Sequence, residues 1–325
     1  MNALITGGAG YIGGTVAQLL AAAGHRVVVY DNLSHSQRLS VPAGLAFIEG
    51  EVGDRTKIEA ALRNHKVDAV LHFAALIEAG ESMQCPEQYF SNNSASTLVL
   101  FQAMLAAGVG KLVFSSTAAV YGQPERTPIE EDAALHPTNP YGESKLIVEQ
   151  MLSWLHRVHG LRYASLRYFN VAGAIQGRGE SHEPESHLIP LILDVALGRR
   201  KSIRIYGTDY PTPDGTCVRD YIHVRDLADA HMLALAALEE KDRMIYNLGN
   251  GRGFSVREVI EAVRRVTGHP IPVEECPRRP GDPAVLVASS EKISRELDWQ
   301  PKSPRLDDII ADAWLWHQMR YKTAG

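Results

Sequence analysis

The sequence predicts an α/β fold, a doubly wound parallel sheet followed by a smaller C-terminal α/β lobe. Three observations predict it. Short β-branched runs alternate with longer helical patterns through the first half, as successive βαβ units require. Two of those runs, Val27 to Tyr30 and Lys111 to Ser115, read as near-continuous apolar stretches, which suits strands covered by helices on both faces. A glycine-rich turn joins the first predicted strand to the first predicted helix.

Taken in order, strands are expected at Asn2–Thr6, Arg26–Tyr30, Leu45–Glu49, Ala69–Phe73, Lys111–Ser115 and Arg162–Arg167. Helices are expected between them, first at Tyr11–Ala23, stopped by Gly24, whose missing Cβ tolerates a left-handed cap. Further helices are expected at Lys57–Asn64, Pro86–Ala107 and Tyr141–Val158. After Asn170 the alternation fails. Two polar stretches, Gly173–Ser186 and Gly207–Thr216, read as substrate-facing loops. A helix near Val224–Ala237 and a strand at Met244–Leu248 resume the pattern and return to the sheet, and an amphipathic helix near Leu306–Met319 ends the chain. The expected division is therefore 1–170 with about 221–250 as one domain, and 171–220 with 251–325 as the lobe.

Composition narrows the function classes. With 325 residues, 45% of them hydrophobic and 22% charged, the chain has the make-up of a globular protein and length for a large core. Its formal charge of −5 and scattered basic residues leave no stripe for a phosphate backbone, so nucleic acid is not expected as a partner. Cys85, Cys217 and Cys276 are far apart and read as free thiols; no metal spacing is present. The longest apolar stretch, Leu98 to Val109, is broken by Gln102 and Gly108 and falls short of the ~20 residues a membrane helix needs. The chain enters a strand pattern at once, without a basic leader, so a cytoplasmic location is expected.

The glycine turn reads Thr6-Gly7-Gly8-Ala9-Gly10-Tyr11-Ile12-Gly13. Between a strand and a helix, such a turn presents backbone N–H groups to a pyrophosphate, as in Rossmann-type folds. Gly7 permits the turn, Gly10 lets the phosphate approach, and Gly13 lets helix and strand pack closely. Asp31 follows 18 residues after Gly13, at the end of the second strand, where a carboxylate accepts from ribose hydroxyls and repels a 2′-phosphate. No arginine immediately follows it. The pattern therefore predicts NAD and not NADP.

Tyr141 and Lys145 lie four residues apart at the start of a predicted helix and so share a face. An ammonium ~6 Å from a phenol, at an effective dielectric of ~20, contributes ~3 kcal/mol, or ~2 pKa units. With a comparable push from the positive nicotinamide of NAD, it is expected to bring the Tyr141 phenol near neutrality, where it serves as a general base. The fifth strand ends in Ser115-Ser116-Thr117, and strand ends line the ligand crevice of open α/β sheets. Thr117 is assigned a proton relay, with its two neighbours orienting it or touching cofactor.

Together with Arg167-Tyr168-Phe169-Asn170, Val218-Arg219-Asp220-Tyr221-Ile222-His223-Val224 and Arg278-Arg279-Pro280-Gly281-Asp282, these motifs resemble the extended short-chain dehydrogenase/reductase family over nearly the whole chain. The resemblance implies a sugar-nucleotide epimerase with one tightly held NAD, a UDP-sugar substrate, inversion at C4 through a 4-keto sugar, and a homodimer. For the cofactor it implies Tyr11, Ile12, Asn32, Glu51, Val52, Phe73, Ala74, Ala75, Asn92, Ser115 and Tyr168 beside the glycines, Asp31, Tyr141 and Lys145. For the substrate it implies Thr117, Tyr141, Asn170, His187, Leu188, Tyr206, Arg219, Arg279 and Asp282. Arg219 and Arg279 are also open to ion pairing with Asp220 or Asp282, and His187 to being polar loop filler. Ile77, His187 and Thr117 depart from some members of the family. Leu286 stands where bulk restricts an N-acetyl group. A dehydratase of the same family needs an extra acid/base pair, and Ser116-Thr117 holds no carboxylate; a decarboxylase and an NAD-sensing regulator are the remaining rivals.

Overall fold

The computed structural model of the chain describes residues 1–279 and 282–322. Its first six strands are β1 (Asn2–Thr6), β2 (Arg26–Asp31), β3 (Ala46–Glu49), β4 (Ala69–His72), β5 (Lys111–Thr117) and β6 (Arg162–Tyr168). With the Arg243–Leu248 strand they form a seven-stranded sheet, in the order Arg243–Leu248, β6, β5, β4, β1, β2, β3. Every pairing in it is parallel. The chain order reverses between β1 and β4, the crevice at which doubly wound sheets bind ligands. This is a Rossmann-type fold.

Each face of the sheet buries its own apolar layer. On one side, helix α1 (Tyr11–Ala22) and the Val224–Ala237 helix cover Ile5, Val29, Leu71 and Leu166. On the other, α2 (Arg55–Asn64) and the helices Ser96–Ala107 and Pro140–His159 cover Leu4, Val28, Val70 and Leu112. Burial on both sides explains why β2 and β5 lack the polar alternation of a half-exposed strand. A third core holds the lobe together, with Ile192, Val259, Val263, Ile309 and Ile310 packed from its three main helices.

Some expectations differ from the structure. The predicted Pro86–Ala107 helix changes gauge midway: α-helical turns at Pro86–Tyr89 and Ser96–Ala107 flank a widened π segment, Phe90–Ala95. The widening accompanies a change of role for Asn93, which turns inward and bonds both the N–H and the carbonyl of Leu76, each at 2.9 Å. The stretch Gly173–Ser186 contains a short hairpin, Ala174–Ile175 against Arg178–Gly179. A helix at Leu188–Ala196 and a parallel pair, Ile203–Tyr206 with Val273–Cys276, were not foreseen. The strand Val218–His223 crosses the expected boundary at 220 and lies in a separate small sheet.

Candidate active site

A cavity of about 1140 Å³ opens at the carboxyl ends of β1, β2, β4 and β5. It is lined by every site residue named from the sequence except Tyr206 and Ser116, the latter turned away to donate to Glu149. Tyr206 lies under the Arg279 guanidinium, 4.0 Å from its ring centre. The Gly207–Thr216 loop also stays off the cavity wall. It is folded back on itself by Asp214, which accepts from the Thr216 N–H and hydroxyl, while Tyr210 is buried beneath Arg278. Pro280 and Gly281, the middle of the Arg278–Asp282 motif, lie outside the described residues.

At one end of the cavity the glycine turn has the shape that its spacing anticipates. Gly7 sits at φ +70°, and a Cβ there would stand 2.6 Å from the Ala74 nitrogen. A Cβ on Gly13 would come within 2.4 Å of the Gly7 carbonyl, so helix and turn meet there backbone to backbone. A Cβ on Gly10 would meet only that carbonyl, at 3.3 Å. No side chain caps the N-terminus of α1, which leaves its first-turn N–H donors available to an anion. Asp31, nearly buried, accepts from the Ala9 N–H at 3.0 Å and the Leu33 N–H at 2.8 Å, so it also shapes the turn. Beyond it, Asn32 donates to the Glu51 carboxylate.

At the other end stand Tyr141, Lys145 and Thr117. Asn139 caps the Pro140–His159 helix by accepting from the Gly142 N–H at 2.8 Å, and Pro140 supplies a preset first turn. Tyr141 and Lys145 then project one turn apart. The Lys145 ammonium donates to the Ser115 carbonyl at 2.9 Å and lies 5.0 Å from the centre of the Phe114 ring. Burial without a carboxylate partner lowers its pKa to about 7. The Tyr141 phenol is raised, chiefly by burial, with a Thr117 hydrogen bond opposing and the Glu78 charge reinforcing the rise. Burial is thus the largest influence on both groups in the protein alone.

The substrate-side residues form a charged rim. Arg219 pairs with Asp282 at 2.5 Å, one of the two carboxylates left open by the sequence. His187 bonds the Glu185 carboxylate through Nδ1 at 2.8 Å. Burial disfavours its cation, but the Glu185 bond and the Glu180 charge outweigh that and raise its pKa to about 9. At neutral pH these carboxylates favour the His187 imidazolium, paired with Glu185 on the cavity wall.

Several supporting residues escaped the sequence reading. Glu149, two turns beyond Tyr141 on the same helix, accepts from Ser116, Ser165 and Arg167, the last through a buried bidentate pair at 2.5 and 3.0 Å. Arg167 continues to the Tyr121 hydroxyl, and Tyr121 to Asn247. His72 bridges Thr6 and Thr97 at 2.6 and 2.8 Å, and burial followed by the Lys145 charge lowers its pKa to about 3, so it stays neutral. Asp220, expected as an ion-pair partner, accepts three backbone N–H groups from Asn250, Gly251 and Ala288.

The NAD dependent epimerase/dehydratase family model matches residues 3–249. The chain belongs to this family. The chain is similar to a UDP-glucose 4-epimerase of Streptomyces lividans, 55% identical over 98% of this chain and 97% of that protein's length. Among solved structures, the UDP-glucose 4-epimerase of Brucella ovis in complex with NAD superimposes with a TM-score of 0.94 at 44% identity, covering 97% of this chain and 98% of its own. That of Bifidobacterium longum, in complex with NAD+ and UDP, gives 0.94 at 38% identity over 100% of both chains. Family membership thus agrees with a glycine turn and a Tyr-Lys pair at opposite ends of one cavity.

Proposed function

We propose that this chain interconverts UDP-glucose and UDP-galactose by NAD-dependent inversion at C4. The observation that carries the reading is the cavity itself, with an uncapped helix N-terminus at one end and a phenol, a hydroxyl and a near-neutral amine at the other. The uncapped α1 N-terminus and the open face of Gly10 fit a pyrophosphate, and Asp31 fits a ribose diol. Gly7, Gly10, Tyr11, Ile12, Gly13, Asp31 and Asn32 would hold the adenosine half of NAD, and Lys145 and Tyr168 the other. When bound, NAD supplies the acceptor and later the donor of the C4 hydride.

The chain's own groups manage the protons and the grip. As the phenolate, Tyr141 takes the proton of the sugar 4-OH, directly or through the Thr117 hydroxyl, and so becomes the neutral phenol; it returns that proton to the C4 oxygen once the other face of the 4-keto sugar is presented. Lys145, with a pKa near working pH, gains or loses a proton at Nζ at little cost and so buffers the Tyr141 charge. Arg219, Arg279 and His187 hold the diphosphate while the hexose stays loosely bound, which is what turning the ring over demands. Residues 1–170 with 221–250 serve the cofactor in this reading, and 171–220 with 251–325 the UDP-sugar.

Leu286, on the cavity wall, favours hexoses without an N-acetyl group. The exposed side chains of Leu98, Leu105, Trp154 and Val158, on the Ser96–Ala107 and Pro140–His159 helices, fit a homodimer contact. Among the described residues no helix is long and apolar enough to cross a membrane. The unpaired cysteines suit the cytoplasm. The test is incubation of the purified protein with UDP-galactose and no added cofactor. Formation of UDP-glucose is expected; a need for stoichiometric external NAD, or release of a keto sugar as product, overturns the proposal.

A further inference from the structure

Arg178 is an anomaly in the fold. It is only 8% exposed, yet its hydrogen-bond partners are uncharged: Nη1 donates to the Gly10 carbonyl at 3.2 Å and Nη2 to the Ser40 carbonyl. Its Nε is buried without a partner. Among the described residues no carboxylate offsets the cost of burying it, and desolvation alone pulls its pKa to about 10. Buried charges are ordinarily paired. This one also sits at the positive end of α1, where a further positive charge is unfavourable. The helix makes room for it nonetheless: a Cβ on Gly14 would stand 2.2 Å from Arg178 Nη1 and 2.5 Å from Cζ.

We infer that Arg178 is a positioning residue for the cofactor, a fixed counter-charge for the pyrophosphate delivered from the hairpin behind the glycine turn. Two routes carry its influence. One is the field of an unneutralised cation in a low-dielectric site, which attracts a dianion across the turn. The other runs through a shared peptide group. The Gly10 carbonyl and the Tyr11 N–H belong to one amide, so a guanidinium bonded to the carbonyl polarises the N–H that faces the anion. Neither route requires Arg178 to touch the ligand. Gly14 is the second half of the device, because a side chain there would expel the guanidinium from its notch.

The inference rests on NAD occupying the cavity, and the experiment separates the two claims. NAD, ADP-ribose and adenosine are titrated into the full-length protein freed of nucleotide, by calorimetry or ligand-observed NMR. The wild type is compared with Arg178→Met, Arg178→Lys and Gly14→Ala, all checked for folding by circular dichroism. Arg178→Met is expected to weaken NAD and ADP-ribose by roughly tenfold, the effect of one interior charge, and to leave adenosine, which has no phosphate, within about twofold. Arg178→Lys keeps the charge and most of the affinity. Gly14→Ala, a substitution that favours helix, reproduces the Met pattern and serves if the Met variant fails to fold. Equal weakening of all three ligands, or unchanged ADP-ribose binding in a folded variant, overturns the role of Arg178. Failure of the wild type to bind NAD overturns the cofactor assignment instead.

Discussion

Replacing Lys145 by Met is expected to stabilise the nucleotide-free chain while abolishing turnover. Burial lowers the ammonium from 10.5 to about 7, so the folded state resists a charge that the unfolded chain carries freely. At ~1.4 kcal/mol per pKa unit, the ~3.5-unit shift corresponds to ~5 kcal/mol of destabilisation wherever both states are protonated, that is, below pH ~7. Between pH 7 and 10.5 the unfolded state binds the extra proton, so wild-type stability rises with pH; the cost falls to ~2 kcal/mol by pH 9. Against this, Met loses the bond to the Ser115 carbonyl and the contact with the Phe114 ring, together worth ~1–2 kcal/mol. The net gain at pH 6 is therefore ~3 kcal/mol. His187 slopes the other way, because its raised pKa stabilises the fold fully below 6.5 and is lost as pH rises through about 9. That contribution is present in both proteins and cancels in their difference. Urea unfolding of wild type and variant at pH 6, 7, 8 and 9 reads the difference directly. A variant less stable than wild type at pH 6, or a difference independent of pH, refutes the reasoning.

Tyr141→Phe removes the base and keeps the ring, so turnover in the UDP-galactose assay should fall by about 10³ or more while NAD stays bound, as extraction and quantitation of the nucleotide would show. Glu149→Ala leaves the Arg167 guanidinium, 2% exposed, without its counter-charge and should cost ~3–5 kcal/mol in denaturant unfolding; a loss below ~1 kcal/mol would deny the pair a structural role. Trp154→Asp with Val158→Asp places charge on side chains that are 63% and 66% exposed, and light scattering should then find a monomer for the variant against the dimer proposed for the wild type. Leu286→Ser opens the cavity wall and should raise the rate on UDP-N-acetylgalactosamine relative to UDP-galactose by about tenfold, measured side by side.

What the sequence disclosed was local in the chain. The glycine spacing, the acid after β2 and the Tyr-Lys pair each occupy a short window whose backbone geometry follows from residue type. The supporting shell is built from contacts between distant segments, and no spacing encodes it. Arg178 meets Gly10 across 168 residues, Asn247 meets Tyr121 across 126, and Asn93 meets Ser144 across 51. The hairpin that carries Arg178 lies in a polar, glycine-rich run that reads as loop, because two-residue strands leave no periodicity. Spacing likewise predicts the distance between phenol and ammonium, but not how far burial shifts each of them.

The buried cations divide into two kinds, and the division explains where the fold gives up stability. Arg167 is neutralised by Glu149 and tied into β5, β6 and the Arg243–Leu248 strand, and its pKa is raised accordingly. Lys145 and Arg178 have no such partner, and burial lowers both. One lines the reactive end of the cavity, and the other grips the carbonyl of Gly10 at the turn. An internal carboxylate at either place would stabilise the protein alone, but in the proposed reading it would repel the pyrophosphate at the turn or quench the Lys145 charge beside Tyr141. In the proposed reading, leaving Arg178 unpaired transfers its neutralisation to the pyrophosphate of the dinucleotide, so binding and folding become linked.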